Sequence, residues 1–144
     1  MLQLDIDVIM DNLNKIVSDF SGLADLNFQA IESLAQVKFE KTADSNEYFD
    51  IYDGKGSNFI SRAEVRIGRS DSHKKLLIVW FSDTTQISEQ DVLAKYPQLK
   101  PNGPTDMHHP DEGFTSVIAV ESWGKMVFEF NRSGILTDAV FDTI

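Results

Sequence analysis

Cysteine is absent from the 144-residue chain, which removes disulfide frameworks, Cys-ligated zinc, iron–sulfur centres and thiol nucleophiles at one stroke. Only His, Asp and Glu remain as side-chain metal ligands, and there are just three histidines. Long apolar runs are missing as well. The longest, Leu76 to Phe81, is far short of the roughly 20 residues a helix needs to cross a bilayer, so no membrane partner is expected. Basic residues are few: 13 Lys+Arg stand against 23 Asp+Glu, for a net charge of -10 and a pI near 4.6. Without a dominant Lys/Arg tract, direct binding to nucleic acid is not expected, and a basic protein is the better-matched partner. The opening MLQLDIDVIMDNL sets Asp5, Asp7 and Asp11 where a secretory signal needs a basic segment and an unbroken apolar stretch, which points to a cytoplasmic location.

What is present suffices for one core. With 42% hydrophobic, 10% aromatic and 25% charged residues, the composition is that of a globular chain and not of a disordered, collagen-like or coiled-coil one. Its length suits a single domain over 1–144. Ile6, Ile9, Met10, Leu13, Ile16, Val17 and Phe20 recur three and four apart, which gathers them on one stripe of a helix over about 5–20. Asp5 can cap it, and Ser21-Gly22 supplies a stop at which glycine can turn left-handed. Leu26, Ala30, Ile31, Leu34 and Ala35 predict a shorter helix over about 27–36, capped by Asn27.

From Val37 the period changes to two. Strands are expected at 37–41, 47–53 and 59–67, separated by the turn residues Asp44-Ser45-Asn46 and Gly54 to Asn58. Phe49 and Ile51 fall on one face of the second strand, with Tyr48, Asp50 and Tyr52 on the other. In the third strand Phe59, Ser61, Ala63, Val65 and Ile67 oppose Ile60, Arg62, Glu64 and Arg66. Lys74 to Asp83 is apolar on both faces and predicts a central strand. Ser88-Glu89-Gln90-Asp91 resembles a capping box opening a short helix that Pro97 closes. Gln98 to Gly113, with three of the four prolines, is expected to be a long loop. Alternating strands follow at about 114–122, 125–131 and 135–142. The whole predicts an α+β fold in which an N-terminal helical segment packs on an antiparallel sheet of about seven strands, with one short helix inserted.

No motif commits the chain to catalysis. Asp106, His108, His109, Asp111 and Glu112 crowd five possible ligands into seven residues, but adjacent histidines diverge in extended chain and no second ligand segment accompanies them. A solvated loop is the expected reading. Asp53-Gly54-Lys55-Gly56-Ser57 lacks phosphate-loop spacing and precedes a strand instead of a helix. Asp50, Asp53 and Asn58 miss the calcium-loop pattern. Ser116 or Ser122 with His108 and Asp111 can be assembled into a triad only on paper, because neither serine stands in a nucleophile elbow. Neither enzymatic activity nor a cofactor or metal is therefore expected.

Charge distribution says more. Residues 1–60 carry -7, residues 61–100 carry +2 and residues 101–144 carry -5. A solvated acidic surface explains this simply. A sharper explanation is a docking face for a basic protein formed by Asp44, Glu47, Tyr48, Asp50, Tyr52 and Asp53, where phenol rings supply contact area and carboxylates steer. Arg62, Arg66 and Arg69 could instead pair with these acids across the hairpin.

In size, acidity and layout, including the EYFDIYD strand and the closing WGKMVFEFNRSGILTDAVF hairpin, the chain resembles the small acidic immunity proteins with which bacteria neutralise competitors' toxins. The resemblance implies a stoichiometric inhibitor of a toxin domain, without turnover. The alternative is a small-ligand-binding or enzymatic α+β domain, with a cavity between the first helix and the sheet lined by residues such as Trp80, Phe128 and Phe130. An adaptor or scaffold would share the evidence for an inhibitor.

Overall fold

The computed structural model describes residues 6–22, 27–71, 73–101 and 115–143. The α1 helix, Ile6–Ser21, buries Ile9, Met10, Leu13, Ile16, Val17 and Phe20, the stripe its sequence period dictates. Asp5 lies outside the described residues. Gly22 is not left-handed; the positive φ near the first two helices belongs to Gln36 (φ 57°), which ends α2, Phe28–Ala35. There the backbone N–H groups of Gln36 and Val37 both donate to the Glu32 carbonyl, satisfying an end that would otherwise be orphaned. Asn27 caps the start of α2, its side chain accepting from Ala30 N at 3.1 Å.

Among the described residues eight strands follow: β1 (Glu40–Lys41), β2 (Phe49–Lys55), β3 (Ile60–Gly68), β4 (Lys75–Phe81), β5 (Lys100–Pro101), β6 (Thr115–Glu121), β7 (Gly124–Phe130) and β8 (Leu136–Asp142). They form one antiparallel sheet in the order β1-β2-β3-β4-β8-β7-β6-β5. The expected strand at 37–41 shrinks to two residues plus a bridge from Val37 to Gly56. The extra strand, β5, comes from the start of the expected loop, where Pro101 is tolerated because the strand is an edge. Between β4 and β5, α3 (Glu89–Lys95) opens with the capping box formed by Ser88 and Asp91.

Register shows which residues share a face. Val65 and Ala63 pair with Leu77 and Val79, and these with Phe141 and Ala139. On this face the helices deposit Leu13, Phe20, Ile31 and Val92, making one core with Met126, Phe128 and Phe130. A β-bulge between Ile60 and Arg62 breaks the strict alternation expected of the third strand, so that Phe59 and Ile60 are both buried while Ser61 is exposed. A Cβ at Gly56 would collide with the Ile60 carbonyl, which is why glycine stands in this turn.

Polar side chains help to tie the helices to the sheet. Tyr96 stacks on Phe128 at 5.4 Å and its hydroxyl donates to Asn14 Oδ1 at 3.2 Å. Lys75, 2% exposed, donates from Nζ to the Gly22 carbonyl at 3.0 Å and sits 5.2 Å over the Phe20 ring. Its charge meets the negative end of α1, whose own last turn has no basic residue.

Candidate functional site

Two surfaces combine exposed apolar or aromatic groups with charge. The first is the tip of the β1–β2 hairpin. Asn46 Oδ1 accepts from Tyr48 N and Phe49 N at 2.8 and 2.9 Å, Thr42 Oγ1 accepts from Asp44 N, and Arg69 N donates to the Tyr48 carbonyl. Asx and Thr turns thus hold the backbone locally, and the Tyr48 side chain stands out from it, 68% exposed. Asp44 and Glu47 are exposed beside it.

The structure does not bring the six expected docking residues onto one surface. Asp44, Glu47 and Tyr48 share the tip. Asp50, in register with Ile67, and Tyr52, in register with Val65, point to the helical side of the sheet. Tyr52 is half-buried with its ring 4.8 Å from that of Phe28. Asp50 is gripped by Lys41 at 3.2 Å and Arg69 at 2.9 Å; the hydrogen bond from Lys41, reinforced by Arg69, holds its carboxyl below the usual range. Asp53 lies on the opposite face, in register with Glu64, and lines an open depression of about 400 Å³ with Lys38, Glu40, Lys55 and Arg62. Asp50 and Asp53 therefore take the arginine and lysine partners that cross-strand pairing would supply. The alternation of residues 49–53 is legible in the sequence, but which side the helices cover is not.

The second surface is the side of the sheet opposite the helices. Here Leu76, Ile78 and Trp80 of β4 stand in line with Asp142, Val140 and Asp138 of β8. The same three rows continue through Lys125, Val127 and Glu129 of β7 to Val120, Ile118 and Ser116 of β6. On the other flank they run into Arg66, Glu64 and Arg62 of β3. Among the described residues no helix covers this face. The result is a patch that is apolar in the middle and charged at its margins, with Val120 82% exposed. Arg62 lies 4.7 Å over the Trp80 ring, and Glu64 accepts from Arg66 Nε at 2.9 Å.

Within this patch Glu129 and Asp138 oppose each other across β7 and β8. Burial, the hydrogen bond to Asp138 and its charge push the Glu129 carboxyl up to about 7. Abundance of acids in the sequence could not single out this pair, because only strand register makes the two neighbours.

The cavity envisaged between the first helix and the sheet does not have its expected lining. Phe128 and Phe130 are fully buried in the core, whereas Trp80 is on the open face, in register with Asp138. Trp80 instead borders an open depression of about 410 Å³ with residues of the 82–86 and 131–137 segments. The polar groups of that depression are largely engaged: Ser61 donates to the Trp80 carbonyl, Ser82 to Asn58, Thr85 to Phe59, and Asn131 Oδ1 accepts from Ser133 and Ile135. The Asp106–Glu112 cluster lies outside the described residues, and among the described ones no group of three or more His, Asp or Glu is arranged to hold a metal ion. Comparisons of the chain with protein-family models, curated proteins and solved structures find no match.

Proposed function

We propose that this chain is a non-catalytic binding protein of the immunity type, which neutralises a basic toxin domain by stoichiometric association through the β1–β2 tip. One observation carries the reading: Tyr48 is an aromatic ring two-thirds exposed on a hydrogen-bonded turn, with the carboxylates of Asp44 and Glu47 beside it. A ring presented on an ordered backbone gives contact area at little entropic cost, and flanking carboxylates steer a basic partner toward it. The net charge of -10 adds a long-range attraction of the same sign.

The test is an affinity titration of the full chain against a basic protein that co-purifies with it. Tyr48→Ala and the pair Asp44→Lys with Glu47→Lys should each weaken binding about tenfold or more, without moving the melting curve, because all three groups are exposed. Asp53→Lys, on the other face, should leave affinity within about twofold. Asp50→Lys is uninformative, since it breaks the link to Lys41 and Arg69. Tip variants that bind as the unaltered chain does would reject the tip as the interface, and a chain that binds no basic polypeptide would reject the function.

A further inference from the structure

We infer that the open face of the sheet takes a second copy of this chain, packed face to face about a two-fold axis that runs along the strands between β7 and β8. The axis follows from where the apolar patch is centred. Leu76 and Ile78 bound it on β4, Ile118 and Val120 on β6, and Val140 and Val127 stand between them.

A two-fold along the strands keeps each row and exchanges β8 with β7, β4 with β6 and β3 with β5. Val140 then faces Val127 of the second copy, Ile78 faces Ile118, and Leu76 faces Val120. The charges at the margins also meet their opposites: Asp142 faces Lys125, and Glu64 faces Lys100, which stands beside Ile118. A two-fold across the strands through the middle row would set Glu64 on Glu64, Lys100 on Lys100, Arg62 on Arg66 and Asp142 on Asp138, against one favourable opposition, Lys125 on Glu129. The charge pattern thus selects one of the two ways a sheet can pack on its own copy, within the roughly 30° rotation that aligned sheets adopt. The contact spans six strands, from β3 to β5, or roughly 24 Å by 13 Å. At roughly 310 Å² per copy that footprint is smaller than a stable interface usually is, so weak, transient association at about tens of micromolar is expected.

The third row contains the one unfavourable opposition. Glu129 would face Asp138 of the second copy, and Asp138 its Glu129, bringing four carboxylates together near the axis. Along that row Ser116 of β6 and Trp80 of β4 carry no charge, and the next charged group, Arg62 of β3, is already near Asp53 and Glu64. Along the strands the nearest charged positions on this face, Lys125 and Asp142, belong to the first row and pair with each other at 3.9 Å. Protonation of Glu129 relieves much of the repulsion, so the dimer should be tighter at pH 6 than at pH 8.

Sedimentation equilibrium of the full chain, up to about 0.5 mM and so well beyond the expected range, tests this. The unaltered protein should dimerise, several-fold more tightly at pH 6 than at pH 8. Val127→Glu, at the axis, should leave it monomeric. Lys100→Glu and Glu64→Lys should each weaken self-association about tenfold, because each homodimer then repeats a like-charge contact twice, while an equimolar mixture should regain the unaltered affinity as a heterodimer. Lys100 is exposed, so its variant keeps the test informative if the others melt early. A monomer at both pH values, a dimer indifferent to Val127→Glu and Lys100→Glu, or a mixture that stays monomeric would each overturn the proposal.

Discussion

Glu129 holds its proton into the neutral range because half-burial removes water from its charged form while Asp138 opposes it with a second negative charge. Its folded pKa of about 7 stands above the ordinary 4.5, so the folded state binds this proton more tightly than the unfolded chain does. The stability this supplies is fully present below pH 4.5 and is lost as pH rises through 7. Screening by the exposed part of the group keeps the loss to about 1 kcal/mol. Glu129→Gln should flatten this decline and melt above the unaltered protein at pH 8, as thermal denaturation across pH 5–8 would show. Equal slopes for both proteins would mean that another group titrates. Tyr96 is also raised: burial lifts its hydroxyl to about 12. Tyr96→Phe removes the bond to Asn14 and should cost about 1 kcal/mol in a denaturant titration. It should also abolish the part of the alkaline destabilisation that begins above pH 10, since a raised folded pKa means that stability is lost as the phenol ionises.

At the scale of elements, the stripe on α1 was legible because a 3.6-residue period is a local property that needs no knowledge of what the helix packs against. Leu13 is fully buried, whereas Asn12 next to it is only half-buried. Leu13→Asp should therefore destabilise the fold by about 3–5 kcal/mol, and Asn12→Asp by about 0.5 kcal/mol or less; matched melting curves for the two variants would refute the helical face. The capping box of α3 was equally legible, being a local pattern of hydrogen-bonding side chains. The ends of other elements were not. Gly22 does not turn left-handed after α1, whereas Gln36, not a glycine, does so at the end of α2, where the chain turns toward the bridge of Val37 with Gly56. The bulge at Ile60 left no sequence sign, since an extra residue in a strand looks like ordinary alternation until its partner is known.

For the whole molecule, the decisive event is the pairing of β4 with β8, which joins two antiparallel meanders into one sheet. That contact brings together segments some 60 residues apart, and it sets Leu76, Ile78 and Trp80 beside acids and valines of the last hairpin. It explains why the apolar run in β4 needs cover on both faces: the helices cover Leu77 and Val79, and Ile78 lies in the patch assigned to the second copy. The two proposed surfaces should respond differently to salt. Docking at the tip combines one ring with long-range charge, so raising ionic strength should slow association with a basic partner markedly, given a screening length of about 8 Å at physiological salt. Self-association has an apolar centre and should weaken much less, a contrast that stopped-flow association rates and sedimentation at two salt concentrations would reveal.

The amino-acid sequence by itself determined the α+β class, the antiparallel order of neighbouring strands, the stripe on the first helix and the acidic balance, because periodicity, turn chemistry and charge are local or additive properties. Only the tertiary structure decided which face of each strand the helices cover. Alternation sorts Tyr48, Asp50 and Tyr52 from Phe49 and Ile51 but carries no sign, so the placement of Tyr52 beneath Phe28, of Asp50 between Lys41 and Arg69, and of Asp53 on the far side depended on long-range register. The same holds for Glu129 and Asp138: they are nine positions apart in the chain, and neighbours only because β7 and β8 turn back on each other.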